Sequence, residues 1–453
     1  MSAEDPTPQL ERYATYQEAC RDFRSTIPRH FNIAEAICRR HPDAVTRVGL
    51  IELRPAARNT YTAGALDYFS DKFATVLAGS GIARGDAIAV MLAQSGALAV
   101  AHLGALKLGA VVVPLAPGTG PATSDLILKQ TEARALIIGE ANRGDVALEP
   151  GGRSSIKAIF VAADAIHSHI VSGGDRSFWR EVYEASSDFQ IADTGATTPA
   201  FIFCAHAGVG APRYVVHSHA ALIGSLAAFE MVNDFELGEG AVFWTPGDWS
   251  SMEALFGVIC PAFYYGIPIV AGNSMDFDGD GPLETMAACE VTTAVLSAAQ
   301  LRAWKSNHPT PRERFDLKLQ RVIVTDSGLT QEMIDWARTD LSVSLQSALI
   351  DVEAGPLAAT CERWFKAKAE TVGRAVPGRT VETLDSEGEI VPRGTPGRIA
   401  IQLPDQSVPV DYLVDPGATS TAFAGDWFVT GRVGIKDDDG NLLAAHSRNN
   451  RPT

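Results

Sequence analysis

The sequence is poor in several features that would mark common protein classes. Its 6 cysteines, Cys20, Cys38, Cys204, Cys260, Cys289 and Cys361, are scattered, and no Cys-x-x-Cys occurs. Such spacing argues against a zinc or disulfide framework and for free thiols in a reducing compartment. Positive charge is scarce: 38 Lys and Arg stand against 54 Asp and Glu, for a net charge of -16. A chain this acidic repels nucleic acid and anionic membranes, so neither is an expected partner. No apolar run reaches the roughly 20 residues of a membrane span. The start, Met1-Ser-Ala-Glu-Asp-Pro6, lacks an apolar core and does not read as a signal peptide, so a cytoplasmic location is expected. No Gly-Lys-Ser/Thr closes a phosphate loop and no dinucleotide fingerprint occurs. No internal repeat or low-complexity tail is evident.

What is present is an ordinary globular composition, 46% hydrophobic and 20% charged over 453 residues, enough for two or three units with large cores. After a lead-in, Asn32 reads as the N-cap of a helix to Arg40. Val48–Leu53 and Asn59–Thr62 read as a hairpin, and Thr62–Ala78 as an amphipathic helix ended by Gly79 or Gly81. Three apolar strands, at 86–92, 109–114 and 135–138, alternate with helices at 96–108 and 124–130. This alternation predicts a parallel sheet covered on both faces. Leu255–Gly266 reads as one helix. Strands at 267–271, 292–296 and 321–324, then a helix ending near Leu341, continue a second wound sheet. Leu106, Val112 and Val270 are expected in the core. From Gly373 the pattern turns to short strands and turns.

Between a buried strand, Ala200–Phe203, and a helix, His219–Ala228, lies a small-residue loop holding Gly208, Gly210, Ala211 and Pro212, followed by Arg213. A glycine loop with a cation at its end can cradle phosphate oxygens on backbone N–H groups. This stretch resembles the Ser-Gly-Thr-Thr-Gly-x-Pro-Lys-Gly loop of AMP-forming acyl-CoA synthetases, with a downstream His-x-His at His217 and His219. Gly210 and Pro212 match. The family's serine falls at His206, its threonines at Gly208 and Val209, its lysine at Arg213 and its last glycine at Tyr214. Gly85-Asp86, the segment 101–115 and Val242-Phe-Trp-Thr-Pro-Gly-Asp-Trp249 are similar to the acetate and medium-chain branch of the same family.

The resemblance implies an α/β fold: two doubly wound, mostly parallel sheets packed together plus a small β-barrel-like subdomain, as in the large N-terminal domain of acyl-CoA synthetases. It divides the chain into a lead-in (1–30), a first wound subdomain (31–200), a second with the altered phosphate loop (201–372) and the small β subdomain (373–446). The family's C-terminal, lysine-bearing domain is expected to be absent.

Residue by residue, the resemblance implies nucleotide contacts at His206, Gly208, Gly210, Arg213, Asp326, Ile350, Glu353 and Arg432. It implies a magnesium ligand at Glu353 and an acyl pocket walled by Trp244, Trp249 and Ile350. Several of these positions depart from the family pattern. The adenine Gly-Gly-Glu falls at Thr325-Asp326-Ser327, and Tyr-x-Gln-Thr-Glu falls at Leu349-Ile350-Asp351-Val352-Glu353. The ribose-binding Thr-Gly-Asp is Thr430-Gly431-Arg432, a donor where the family has an acceptor. Glu353 as a hydrogen-bonded acid, His206 in a structural bond and the two tryptophans as core rings remain alternatives. His217 and His219 have no evident third partner for a metal.

The altered motifs favour a binding or regulatory pseudoenzyme impaired in adenylation; the alternatives are an active AMP-forming acyl-CoA synthetase for short or medium carboxylates and a split enzyme completed by a partner that supplies the C-terminal domain. Mg and ATP or AMP, weakly bound or lost, and CoA or acyl-CoA are the cofactors implied. A small carboxylate or acyl compound is the ligand implied.

Overall fold

The computed structural model describes residues 7–54, 57–146, 155–163, 174–205, 212–272, 279–325, 329–405, 407–413 and 422–445. Two large sheets dominate it. One has eight strands in the order Asp411–Leu413, Arg213–Ser218, Pro199–Ala205, Val111–Pro114, Ala87–Met91, Ala135–Gly139, Ala158–Ala162 and Arg176–Ser177. Its pairs are parallel from Pro199–Ala205 onward and antiparallel at the other edge. The second has nine strands: Arg374–Ala375, Gly355–Ala359, Ser344–Asp351, Arg321–Val324, Thr293–Leu296, Phe243–Trp244, Ile269–Ala271, Val48–Arg54 and Ala57–Thr62. Its middle pairs are parallel and both edges end in antiparallel hairpins.

The alternation of side chains explains how these sheets are covered. Along Ala87–Met91, Ile88 and Val90 face one core, while Ala87, Ala89 and Met91 face another. Period-two alternation in a fully apolar strand is what a sheet buried on both faces requires. The inner core draws on both sheets and on the helices Ile33–Cys38, Ala63–Gly79, Gly96–Leu108 and Ala220–Val232, which fill the space between them. Asn32 caps the first of these helices through the N–H of Ala34, and Ser95 caps the third through Leu98. Gly109, at φ 76°, closes the third in the left-handed conformation that glycine adopts freely. Lys107 is fully buried and donates to Asp67 (2.5 Å) and Asp71 (2.7 Å), so its charge is compensated inside the helix layer.

A third, antiparallel sheet holds Val381–Leu384, Pro396–Gln402, Trp427–Lys436 and Phe423–Ala424, with Leu442–Ala445 also paired to Trp427–Lys436. Val215, Leu349, Leu357 and Phe428 share one cluster, which seats this sheet against the ends of the two large ones.

Strand pairing runs across the linear positions 200/201 and 372/373. The hairpin 48–62 joins the nine-stranded sheet through Ile269–Ala271, and strands 199–205 and 213–218 complete the eight-stranded one. Some local elements differ from expectation. Arg213–Ser218 is a strand rather than part of a loop: it pairs with Pro199–Ala205, with Tyr214 and Val216 buried in the core that holds Ile202, and Val215 in the core shared with the small sheet. The single helix expected over 255–266 is instead Met252–Ala254, a π-helical turn at Leu255–Ile259, and Cys260–Tyr264. Within the π-turn, Gly257 leaves room for the Ile350 Cδ1, which a side chain at 257 would meet unless Ile350 moved.

Leu106, Val112 and Val270 are buried as expected. Truncating Leu106 to Ala should cost about 2–5 kcal/mol, since it lies in the helix layer that both sheets share. A chemical denaturation midpoint unchanged by Leu106→Ala would contradict that placement.

Candidate functional site

In an open α/β sheet, ligands bind beyond the carboxyl ends of the parallel strands. Here a cleft of about 900 Å³, including its open mouth, lies at the ends of Val111–Pro114 and Pro199–Ala205. Its walls include Leu115, Thr119, Phe203, Cys204, Ser250–Glu253 and Val352. Val352 sits in the turn between Ser344–Asp351 and Gly355–Ala359, and that turn carries the charges of the site.

Asp351 makes the turn. Its Oδ1 accepts from the N–H groups of Glu353 (2.9 Å) and Ala354 (3.1 Å), an Asx-type turn that aspartate forms readily. Its Oδ2 accepts from Arg432 Nε at 2.6 Å. Glu353, two residues on, takes Arg213 Nη1 at 2.7 Å on Oε1 and the N–H of Gly431 at 3.3 Å on Oε2. His217 Nε2 lies 2.8 Å from the carbonyl of Val352, the peptide between the two acids. The two acids are buried, whereas the arginines keep partial access to solvent. Burial, and then the charge of Asp351, push the carboxyl of Glu353 up. Its bonds to Arg213 and Gly431 oppose that shift.

This geometry brings together Arg213, Glu353 and Arg432 of the residues expected at a nucleotide site. Arg432 does not stand free for a ribose; it is bound to Asp351, a residue that sequence reasoning had not assigned. Its signal was the reversal of charge at 432, whose partner lies 81 positions away. His206, Gly208, Gly210 and Asp326 lie outside the described residues. No three His, Cys, Asp or Glu side chains form a metal-binding group among the described residues. Magnesium is commonly held by one or two carboxylates plus substrate phosphates. Each Glu353 oxygen accepts one hydrogen bond, from Arg213 and from Gly431, and a carboxylate has about four lone-pair sites, so Glu353 would still fit as one such carboxylate.

Of the three residues expected to wall one acyl pocket, Trp249 and Ile350 lie in the inner core and Trp244 in the outer core of the nine-stranded sheet. Trp244 donates to the carbonyl of Gly272 at 3.2 Å. Ile350 is packed on Gly257. Trp249 lines a small apolar cavity of about 30 Å³ among the inner helices, with His102, Leu106, Phe201 and Phe263. Phe201 and Phe203, two apart on one strand and stacked at 5.7 Å, separate this inner cavity from the cleft. Trp249 Nε1 and His102 Nε2 are buried without a partner there. His217 and His219, expected to lack a third metal partner, have structural duties. His219 Nδ1 accepts from the N–H of Ile33 at 3.1 Å, and burial holds both rings neutral, at about 4 and about 3.

The model of the AMP-binding enzyme family matches residues 34–407. The chain belongs to that family. Its curated relatives are acyl-CoA synthetases and ligases. Acyl-coenzyme A synthetase ACSM3, mitochondrial, of Rattus norvegicus is 23% identical over 95% of this chain and 74% of its own length. An uncharacterised acyl-CoA ligase of Bacillus subtilis, YtcI, is 24% identical over 82% of this chain and 68% of its own. Among solved structures, an acyl-CoA synthetase of Brucella canis superposes with a TM-score of 0.84, at 20% identity, over 96% of this chain and 80% of that one. The fold expected from the sequence is therefore the fold observed.

Two expectations follow from the geometry. Arg432→Asp leaves Asp351 without its cation beside a new carboxylate and should cost about 1–3 kcal/mol, as uncompensated buried groups do. Adding Asp351→Gln should restore most of that loss in urea unfolding; equal instability of single and double variants would mean the ion pair is not the cause. The second concerns pH. Burial pushes His102 down to about 3, so the folded chain refuses a proton that the unfolded chain takes up below about pH 6.5. Stability tied to this group is thus lost as pH falls. The stability of His102→Leu relative to the wild type should rise by about 2 kcal/mol between pH 6.5 and 5. A pH-independent difference would show the ring to be charged when folded.

Proposed function

We propose that this family member binds a small acyl ligand in the cleft beside Val352 and is impaired in forming an adenylate, so that it acts by binding rather than turnover. The observation that carries this reading is the pair of internal salt bridges, Arg213 with Glu353 and Arg432 with Asp351. Adenylation joins a carboxylate to the α-phosphate of ATP, and it needs free cations for phosphate and a free acceptor for ribose. Here cations and carboxylates satisfy one another. ATP phosphates would compete with Glu353 and Asp351 for the charge of the two arginines. Hydrogen bonds to charged groups contribute roughly 1.5–3 kcal/mol each, so two lost ribose bonds alone weaken binding by roughly two to four decades.

A second reading is supported by the match over residues 34–407 and by relatives named as synthetases along nearly the whole chain. It is an active AMP-forming acyl-CoA synthetase for short or medium carboxylates, ATP, Mg and CoA. In that reading the bridges open when nucleotide arrives.

ATP–pyrophosphate exchange with acetate, butyrate and hexanoate separates the two readings, run with and without an added C-terminal domain from a related synthetase. We expect exchange at background in every case. Robust carboxylate-dependent exchange would overturn the first reading and establish the second.

A further inference from the structure

Glu253 is the charge in the cleft that the ion pairs leave over. It follows Ser251 and Met252 in the short helical turn lining the cleft, across from Phe203 and Cys204. Ser251 hydrogen-bonds it, but no described residue forms an ion pair with it. Arg432 is near enough to act on it electrostatically, yet that arginine is bound to Asp351. Arg213 is likewise bound to Glu353. With Glu253 ionised, the charged groups described around the cleft sum to one excess negative charge, held at a partly buried position. Burial pushes its carboxyl up, the response of an acid that lacks a cation.

A plain fatty acid is a poor occupant of such a cleft. Its carboxylate would meet Glu253 and find both described arginines engaged. Its alkyl tail would have to lie beside Ser250, Ser251 and Glu253. A ligand that brings its own cation has the opposite fit. A primary ammonium can donate to the Glu253 carboxylate, while the methylenes behind it pack on Phe203, Leu115 and Met252. Resting on the reading above that this cleft is the ligand site, we propose that Glu253 sets its specificity and that the ligand is an aliphatic compound bearing a primary ammonium group rather than a simple fatty acid.

The matched probes are hexanoate, 6-aminohexanoate and hexylamine, measured by calorimetry on the full chain, the wild type and the variants Glu253→Gln and Glu253→Asp. One charge-assisted hydrogen bond should make the two ammonium compounds bind at least about tenfold tighter than hexanoate. Glu253→Gln should abolish that preference, and Glu253→Asp should keep part of it. Equal or tighter binding of hexanoate to the wild type, or no binding of any probe, overturns the proposal without reference to the variants. So does a preference that survives in Glu253→Gln. The same compounds in pyrophosphate exchange keep the two conclusions apart. Exchange with 6-aminohexanoate but not hexanoate would uphold the ammonium preference while overturning impaired adenylation.

Discussion

The turn at Asp351–Glu353 holds three parts of the molecule at one point. Through its two carboxylates it engages the start of a strand in the eight-stranded sheet, at Arg213, and a strand of the small antiparallel sheet, at Gly431 and Arg432. The turn itself belongs to the nine-stranded sheet. Each carboxylate is buried and would be costly alone, because removing a charge from water is favourable only when a partner replaces the solvent. Asp351 meets the need with two backbone N–H groups and one guanidinium, Glu353 with one of each. The geometry of the cleft therefore depends on charge pairing as much as on apolar packing.

Much of the scaffold was legible in the sequence. Helix 96–108 could be read from its apolar density and the glycine after it, and Arg321–Val324 from its run of apolar residues. The resemblance in the segments 101–115 and 242–249 pointed to the right family. What could not be read was mostly non-local. The short strand Arg213–Ser218 is a weak signal by itself, and its identity comes from pairing with Pro199–Ala205. The π-turn at Leu255–Ile259 within the helical run has Ile350 packed at Gly257, 93 positions away and invisible to any local window.

The site shows the same limit at the level of charge. An arginine at 432 reads, residue by residue, as a donor in place of an acceptor. Its setting becomes visible only with Asp351 beside it, since the two form an internal ion pair. Trp244 and Trp249 are a similar case. Five residues apart in an aromatic segment, they look like partners, yet they enter different cores because one lies on a strand and the other in the loop beyond it.

The hairpin 48–62 carries a consequence for how the chain is made. Leu50, Ile51 and Glu52 pair with Ile269, Val270 and Ala271, which leave the ribosome more than two hundred residues later. At roughly 5–20 residues per second, synthesis leaves that strand waiting on the order of ten to forty seconds for its neighbour. During that interval its apolar edge is exposed to other nascent chains. Yield of native protein should then depend on translation speed and chaperone supply as much as on the final stability of the sheet.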